Sequence, residues 1–205
     1  MPNGSRIAAV FINCPFDSDY RPFFDAMVFT IARCGFAPRC ALEIDDGGGT
    51  RIEKITKLIS ECPLGIHDIS RTELDPKTKL PRFNMPFELG IFLGARHFGN
   101  RDQKKKRCLI LDRTQYRYRA FISDIAGHDI SSHGAKIGTL ITKVRDFLRA
   151  NSNGRTLPSG TIIKRDYEKF EAVKPEICAN MELDPGQLTY LDLAYLVAYY
   201  LGENA

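Results

Sequence analysis

Short apolar runs alternate along the chain with longer stretches in which apolar residues recur every three or four positions. The runs lack polar alternation, which is typical of strands buried on both faces. They predict five strands, at residues 7–13, 37–43, 64–69, 108–112 and 129–131. The periodic stretches predict helices, at residues 19–33, 51–62, 83–98, 116–125 and 135–150. This alternation predicts a parallel sheet covered by helices on both faces.

The number of strands narrows the fold class. Five strands within about 150 residues favour a flavodoxin-like, doubly wound α/β domain with a parallel sheet in the order 2-1-3-4-5. The turn-forming segment NSNGRTLPSG at residues 151–160 predicts a boundary. We therefore divide the chain into a domain at 1–150 and a C-terminal helical extension at 151–205.

The extension is expected to contain two helices, at residues 161–180 and 186–201. The second is apolar on most of its faces, which favours docking on the domain or on a second copy of the chain. We accordingly expect Tyr195, Tyr199 and Leu201 to be buried.

Composition excludes several classes of protein. The 205 residues are 43% hydrophobic and 26% charged, values typical of a folded domain and not of a disordered or fibrous chain. A net charge of +4 argues against a specific nucleic-acid binder, and the KKKR run at 104–107 predicts a solvated loop. With six scattered cysteines, no signal peptide and no 18-residue apolar window, we expect a cytoplasmic chain that does not enter a membrane.

We look for functional residues directly after the predicted strands, because ligands of an open parallel sheet bind beyond the carboxyl ends of its strands. The candidates at this edge are Asn13, Phe16, Asp17, Glu43, Arg51 and Asp68. Three consecutive glycines at 47–49, beside Arg51, are able to present backbone N–H groups to an anion. A flexible connector is the alternative interpretation of this loop, and a lid on the core is the alternative for Phe16.

The segment PRFNMPFELGIFLGA at residues 81–95 carries Glu88 inside an otherwise apolar helix that starts near Asn84. A buried carboxylate is costly unless it is paired or used, so Glu88 is a candidate catalytic residue. The alternative is a glutamate on the solvent side of the helix. Gly90 and Gly94 predict close packing around this helix. The histidines and cysteines lack metal-ligand spacing, so no metal is expected.

Two families share elements with this chain. The opening VFINCPFDSDYRPFF at 10–24, followed by GFAPRCALE at 35–43, resembles a bacterial TIR-like domain and is similar to nucleoside 2-deoxyribosyltransferases. Both families carry an essential glutamate on a helix after the third strand. HDIS at 67–70 and NMPFELGIFLGA at 84–95 reproduce that order. The resemblance covers residues 7–150.

The resemblance implies a flavodoxin-like fold and cleavage of an N-glycosidic bond, with NAD+ as the leading substrate and no cofactor. It implies that Glu88 is catalytic, that Phe16 stacks on a base, and that Asp68 or Asn84 binds ribose hydroxyls. The glycine loop with Arg51 would hold the pyrophosphate, and the other candidates at this edge would contact substrate.

The resemblance also implies a setting and leaves alternatives open. Bacterial relatives of this kind serve in antiphage defence, which implies a homo-oligomer or a partner protein of a defence system. The alternatives are an enzyme that acts on nucleosides or nucleotides, and a non-enzymatic module that senses a nucleotide or assembles with a partner.

Overall fold

The computed structural model describes residues 7–74 and 79–204, and within them five parallel strands form one sheet in the order β2-β1-β3-β4-β5. The strands are β1 (Ala9–Asn13), β2 (Ala37–Cys40), β3 (Leu64–Asp68), β4 (Arg107–Asp112) and β5 (Ile130–Ser132). The helices are α1 (Arg21–Arg33), α2 (Arg51–Glu61), α3 (Asn84–Phe98), α4 (Ile137–Ala150), α5 (Gly160–Asn180) and α6 (Tyr190–Glu203). The predicted flavodoxin-like α/β fold is confirmed.

The register of the sheet brings the carboxyl ends of its strands to one edge. Asn13 at the end of β1 pairs with His67 of β3, and Asp68 follows His67 directly. Asp112 at the end of β4 pairs with Ser132 of β5. This carboxyl edge is where an open parallel sheet binds its ligands.

Two predicted elements differ in detail. The second strand ends at Cys40, and Ala41–Glu43 form a 3-10 turn in which the Glu43 carboxylate accepts from the Cys40 N–H over 3.4 Å. The helix predicted at 116–125 is replaced by two 3-10 turns, Arg117–Ala120 and Ser123–Ile125. The residue before them, Tyr116, has a φ of 62°, which an α-helix does not allow.

The helices of the C-terminal extension pack on α1 and share its apolar core. The Phe29 ring of α1 lies 5.4 Å from that of Phe170 in α5. In α6 the buried residues are Tyr190, Leu193, Leu196 and Val197. Tyr195 and Tyr199 are exposed, so they do not pack against the domain, whereas Leu201 is half-buried against the core. Burial of the two tyrosines against a second copy stays a prediction. Because α6 is apolar on most faces, its sequence gives no reliable indication of which face is buried.

The prediction that the glycines of α3 mark close packing around the helix is wrong. No heavy atom lies within 4 Å of a Cβ built on Gly90 or Gly94. Close packing occurs instead at Gly65 in β3, where an added Cβ would come within 2.7 Å of both Phe92 and His67. The glycine pair of α3 therefore faces outward.

One residue of the predicted solvated loop is buried. The Lys106 ammonium donates to the backbone carbonyls of Ile59 and Cys62, and it lies 5.0 Å from the centroid of the Phe92 ring. A cation bound to the last carbonyls of a helix offsets the negative end of its dipole. Lys106 thus fixes the C-terminal end of α2.

No helix among residues 7–74 and 79–204 combines the length and the apolar character needed to cross a membrane.

Candidate functional site

The Asp68 carboxylate lies at the centre of the carboxyl edge and is completely buried. The Tyr20 hydroxyl donates to its Oδ2 over 2.5 Å, and both the backbone N–H and the hydroxyl of Ser70 donate to Oδ1. His133 Nε2 lies 2.9 Å from Ser70 Oγ and 3.2 Å from Asp68 Oδ2. Since the Ser70 hydrogen points at Asp68, Nε2 carries a hydrogen and donates. Three protein hydrogen bonds therefore reach this carboxylate, and the His133 ring lies against its Oδ2 oxygen.

Asn13, also predicted to contact substrate, is buried and holds α3 against the sheet. Its amide nitrogen donates to the Met85 carbonyl over 2.8 Å and to His67 Nδ1 over 3.1 Å. Because His67 accepts at Nδ1, its hydrogen is on Nε2, which has no partner among the described residues and lies beside the Phe92 ring. Burial, reinforced by the Lys106 charge, lowers the His67 pKa to about 3, so the ring is neutral.

A second buried carboxylate, Asp112, reinforces this half of the edge. Arg117 donates from Nε to Asp112 Oδ1 over 2.9 Å, and from Nη2 to the carbonyls of Ile69 and Ser70. Burial raises the Asp112 pKa above its ordinary range, and the bond to Arg117 opposes the shift. The segment 112–118 is expected at this edge because it follows the apolar run CLIL, but sequence reasoning did not single out Asp112 as a site residue.

Three further predicted residues lie apart from Glu88. The Glu43 carboxylate accepts from Arg39 Nε with both oxygens, over 2.6 and 2.8 Å. Asp17 forms an ion pair with Arg71. Phe16 packs edge-to-face against an aromatic ring of α1, with ring centroids 5.4 Å apart. Their predicted contacts with a substrate stay predictions.

Backbone N–H groups in and directly after the glycine loop already donate to carboxylates of the chain. The Gly48 N–H donates to Asp46 Oδ1 over 2.8 Å, and the Thr50 N–H donates to Glu53 Oε2 over 2.7 Å. These carboxylates take the place that the sequence interpretation gave to an anionic ligand. Arg51, which follows the loop, keeps an exposed guanidinium.

Glu88 opens on a small cleft between α2 and α3, with a volume of about 150 Å³. The cleft is lined by Arg51, Ile52, Ile55, Asn84, Phe87 and Glu88. Glu88 is only 4% exposed, yet within the described part of the chain its carboxylate has neither a hydrogen-bond donor nor an ion-pair partner. Of the eight predicted site residues, the structure brings three together here, namely Arg51, Asn84 and Glu88.

Burial governs the charge state of Glu88. It raises the Glu88 pKa from 4.5 to about 7, and the positive charge of Arg51 opposes the shift. The carboxyl is therefore half protonated near neutral pH. A cation that enters the cleft would favour the ionised form, because opposite charges attract strongly where water is excluded.

Comparisons with known proteins add no assignment: no protein-family model matches the chain, and no curated protein gives a significant match. Within residues 7–74 and 79–204, no cluster of three or more His, Cys, Asp or Glu side chains is arranged to hold a metal ion. The candidate site is therefore defined by its own geometry.

The Asp68 network makes a first prediction. We expect Asp68→Asn to lower the free energy of unfolding by about 2–4 kcal/mol, because the amide nitrogen would face donors and leave buried groups unpaired. Urea denaturation followed by circular dichroism measures the change. Tyr20→Phe, which removes one bond of the network, is the graded control and should cost about 1 kcal/mol. Unchanged stability of Asp68→Asn would contradict the internal role.

For Glu88 we expect the opposite effect: replacing this carboxylate should raise the free energy of unfolding. Its pKa is higher in the folded chain than in the unfolded chain, so the folded state loses stability as pH rises from 4.5 to about 7. We expect Glu88→Gln to be more stable than wild type by about 1–3 kcal/mol near pH 8. The difference should vanish below about pH 4, where both states of the wild type are mostly protonated.

Denaturation curves at several pH values test this expectation, and the exposed Glu176→Gln on α5 serves as the matched control. A Glu88→Gln variant that is less stable than wild type near pH 8 would show that the carboxylate has a stabilising partner in the fold.

Proposed function

We propose that this chain cleaves the N-glycosidic bond between nicotinamide and ribose in NAD+, with Glu88 as its catalytic residue. The observation that carries the proposal is a buried carboxyl that opens on a cleft and has no partner among the described residues. Such a group costs stability unless it is used, and carboxyls with shifted pKa values in clefts concentrate at functional sites. The resemblance to TIR-like domains supplies the substrate class.

The chemistry suits a single carboxylate. In NAD+ the nicotinamide ring is cationic, so it leaves with the electron pair of the C–N bond and needs no added proton. The positive charge moves to the ribose, as an oxocarbenium ion. An ionised Glu88 in an apolar cleft stabilises that ion, or bonds to its carbon as a covalent intermediate. Water then adds at this carbon and releases a proton, which yields ADP-ribose.

The neighbours of Glu88 suit the rest of the substrate. The exposed Arg51 guanidinium offers charge to the pyrophosphate, and the Asn84 amide offers a donor and an acceptor to ribose hydroxyls. A cleft of about 150 Å³ is much smaller than a whole-ligand pocket of about 300 Å³ or more. We therefore assign to the cleft one ring and the reacting carbon, with the remainder of the dinucleotide on the exposed surface beside Arg51.

The proposal predicts the effect of removing the charge. We expect Glu88→Gln to lower the turnover of NAD+ by about 10²–10³-fold, because the transition state loses its counter-ion while the shape of the side chain is kept. Mass spectrometry of nicotinamide release measures turnover, with Glu176→Gln as the control that should behave as wild type.

Two outcomes would contradict this proposal. One is full turnover by Glu88→Gln. The other is a wild-type protein that forms no product from NAD+ at any protein concentration, in which case the non-enzymatic interpretation is favoured.

A second candidate, cleavage of a nucleoside, is favoured by the near-neutral pKa of Glu88. The base of a nucleoside is uncharged and leaves readily only after it gains a proton. The protonated half of the Glu88 population is able to donate that proton as a general acid.

The pH dependence separates the two candidates. Cleavage of NAD+ needs ionised Glu88, so kcat/KM should rise with pH and level off above the pKa of about 7. A reaction that uses the protonated acid should instead slow over the same range. Nicotinamide release from NAD+ and base release from a deoxynucleoside, each followed across this range, give the two profiles. A profile for NAD+ that is flat through pH 7 would contradict a role for Glu88 ionisation.

A further inference from the structure

The outward face of α3 is apolar although nothing in the described part of the chain covers it. It consists of Phe83, Phe87, Gly90, Gly94, His97 and Phe98, which recur every three or four residues along the helix. The three phenylalanines are 58%, 59% and 85% exposed, and the space beside both glycines is open. Aromatic residues exposed in a continuous stripe mark an interaction surface more often than chance placement.

We propose that this face binds the same face of a second copy of the chain, with the two α3 helices antiparallel. Four positions of the stripe, those of Phe83, Phe87, Gly94 and Phe98, are placed symmetrically about a point between Gly90 and Ile91. A twofold axis at that point sets Phe83 against the partner's Phe98, and Phe87 against the partner's Gly94. An interface between identical surfaces requires this kind of self-complementarity.

The glycines supply the space that the partner's ring needs. A groove of about 640 Å³ runs along Gly90 and Gly94, with Leu93 and Phe98 in its wall and the basic side chains of Arg96, Lys104 and His128 around it. With no side chain at either position, the backbone of α3 is open to close approach by an aromatic ring. The antiparallel pairing thus sets an aromatic side chain over a recess at two symmetric places.

The exposed area of the three rings gives the size of the proposed interface. The three phenylalanines together expose the equivalent of about two whole side chains, or roughly 400 Å² per copy. A symmetric pair would bury about 800 Å² from these rings, and the groove walls add to it. This total lies at the low end of specific interfaces, below about 1,200 Å², where association is weak and reversible. We therefore expect a weak and reversible dimer.

A second exposed apolar stripe, on α6, is the competing surface. Leu191, Tyr195 and Tyr199 are 59%, 61% and 42% exposed and lie one turn apart. This stripe offers no glycine recess between its side chains, so it lacks a complement to its own rings. Dimerisation through α6 is an outcome that the experiment distinguishes.

Sedimentation velocity between about 1 and 200 µM protein, without substrate, tests the proposal independently of any enzymatic activity. We expect Gly94→Gln to weaken dimerisation at least tenfold, because the new side chain fills the recess. Glutamine also has a higher helix propensity than glycine, so the melting temperature of the monomer should not fall. Gly202→Gln on α6 is the matched control, since an added Cβ there also meets open space.

Mixed cysteine variants test the register. A mixture of Phe83→Cys and Phe98→Cys should form a disulfide-linked dimer on mild oxidation, while the second Phe83–Phe98 contact stays intact. Phe83→Cys alone should link poorly, because its two copies lie about 22 Å apart in the antiparallel pair. Wild type gives the background, since five of its six cysteines are buried.

Three results would overturn the proposal. They are a wild-type protein that is monomeric across the whole range, a Gly94→Gln variant that dimerises like wild type, and Phe83→Cys that links to itself faster than to Phe98→Cys. The second result would favour the α6 stripe.

Discussion

The buried Asp68 carboxylate holds together the edge of the sheet on which every candidate group depends. Tyr20 comes from the segment before α1, Ser70 follows β3, and His133 follows β5, so one anion ties three connections together. In a medium of low dielectric constant these bonds are strong, and the loss of any donor would be costly. Arg117 adds bonds to the carbonyls beside Ser70. This half of the edge therefore consists mainly of polar groups bonded to one another, although Asp112 Oδ2 and His133 Nδ1 have no hydrogen-bond partner among the described residues.

Glu88 lies at the cleft between α2 and α3 and differs from Asp68 in its surroundings. The bond from Asn13 to the Met85 carbonyl fixes the first turn of α3, which brings Glu88 into contact with the start of α2. Two buried carboxylates thus have opposite roles. Asp68 accepts three hydrogen bonds, whereas Glu88 accepts none from the described residues and its pKa rises to about 7. A cationic ligand would therefore pair with the Glu88 carboxylate and not with Asp68, which is already hydrogen-bonded within the fold.

Local patterns predicted the fold because periodicity and turn residues act over a few positions. The same patterns were insufficient where distant residues decide. Asp68 and Glu88 are both carboxylates in apolar surroundings, and their roles are separated partly by the nearby Ser70 and partly by groups far away in sequence, Tyr20 and His133. Lys106 belongs to a charged run, yet it is buried because the carbonyls at the end of α2 need a donor. The buried face of α6 could not be predicted, since nearly all of its faces are apolar.

Helix α3 departs from the usual pattern of a surface helix in two opposite ways. Its inner side carries a carboxylate in a place that favours apolar groups, and its outer side carries phenylalanines in a place that favours charge. Stability of an isolated monomer would be served by the reverse arrangement. Departures of this kind concentrate where a sequence serves something besides its own fold. Phe87 lines the Glu88 cleft and also belongs to the outer face, so the two departures meet at one side chain.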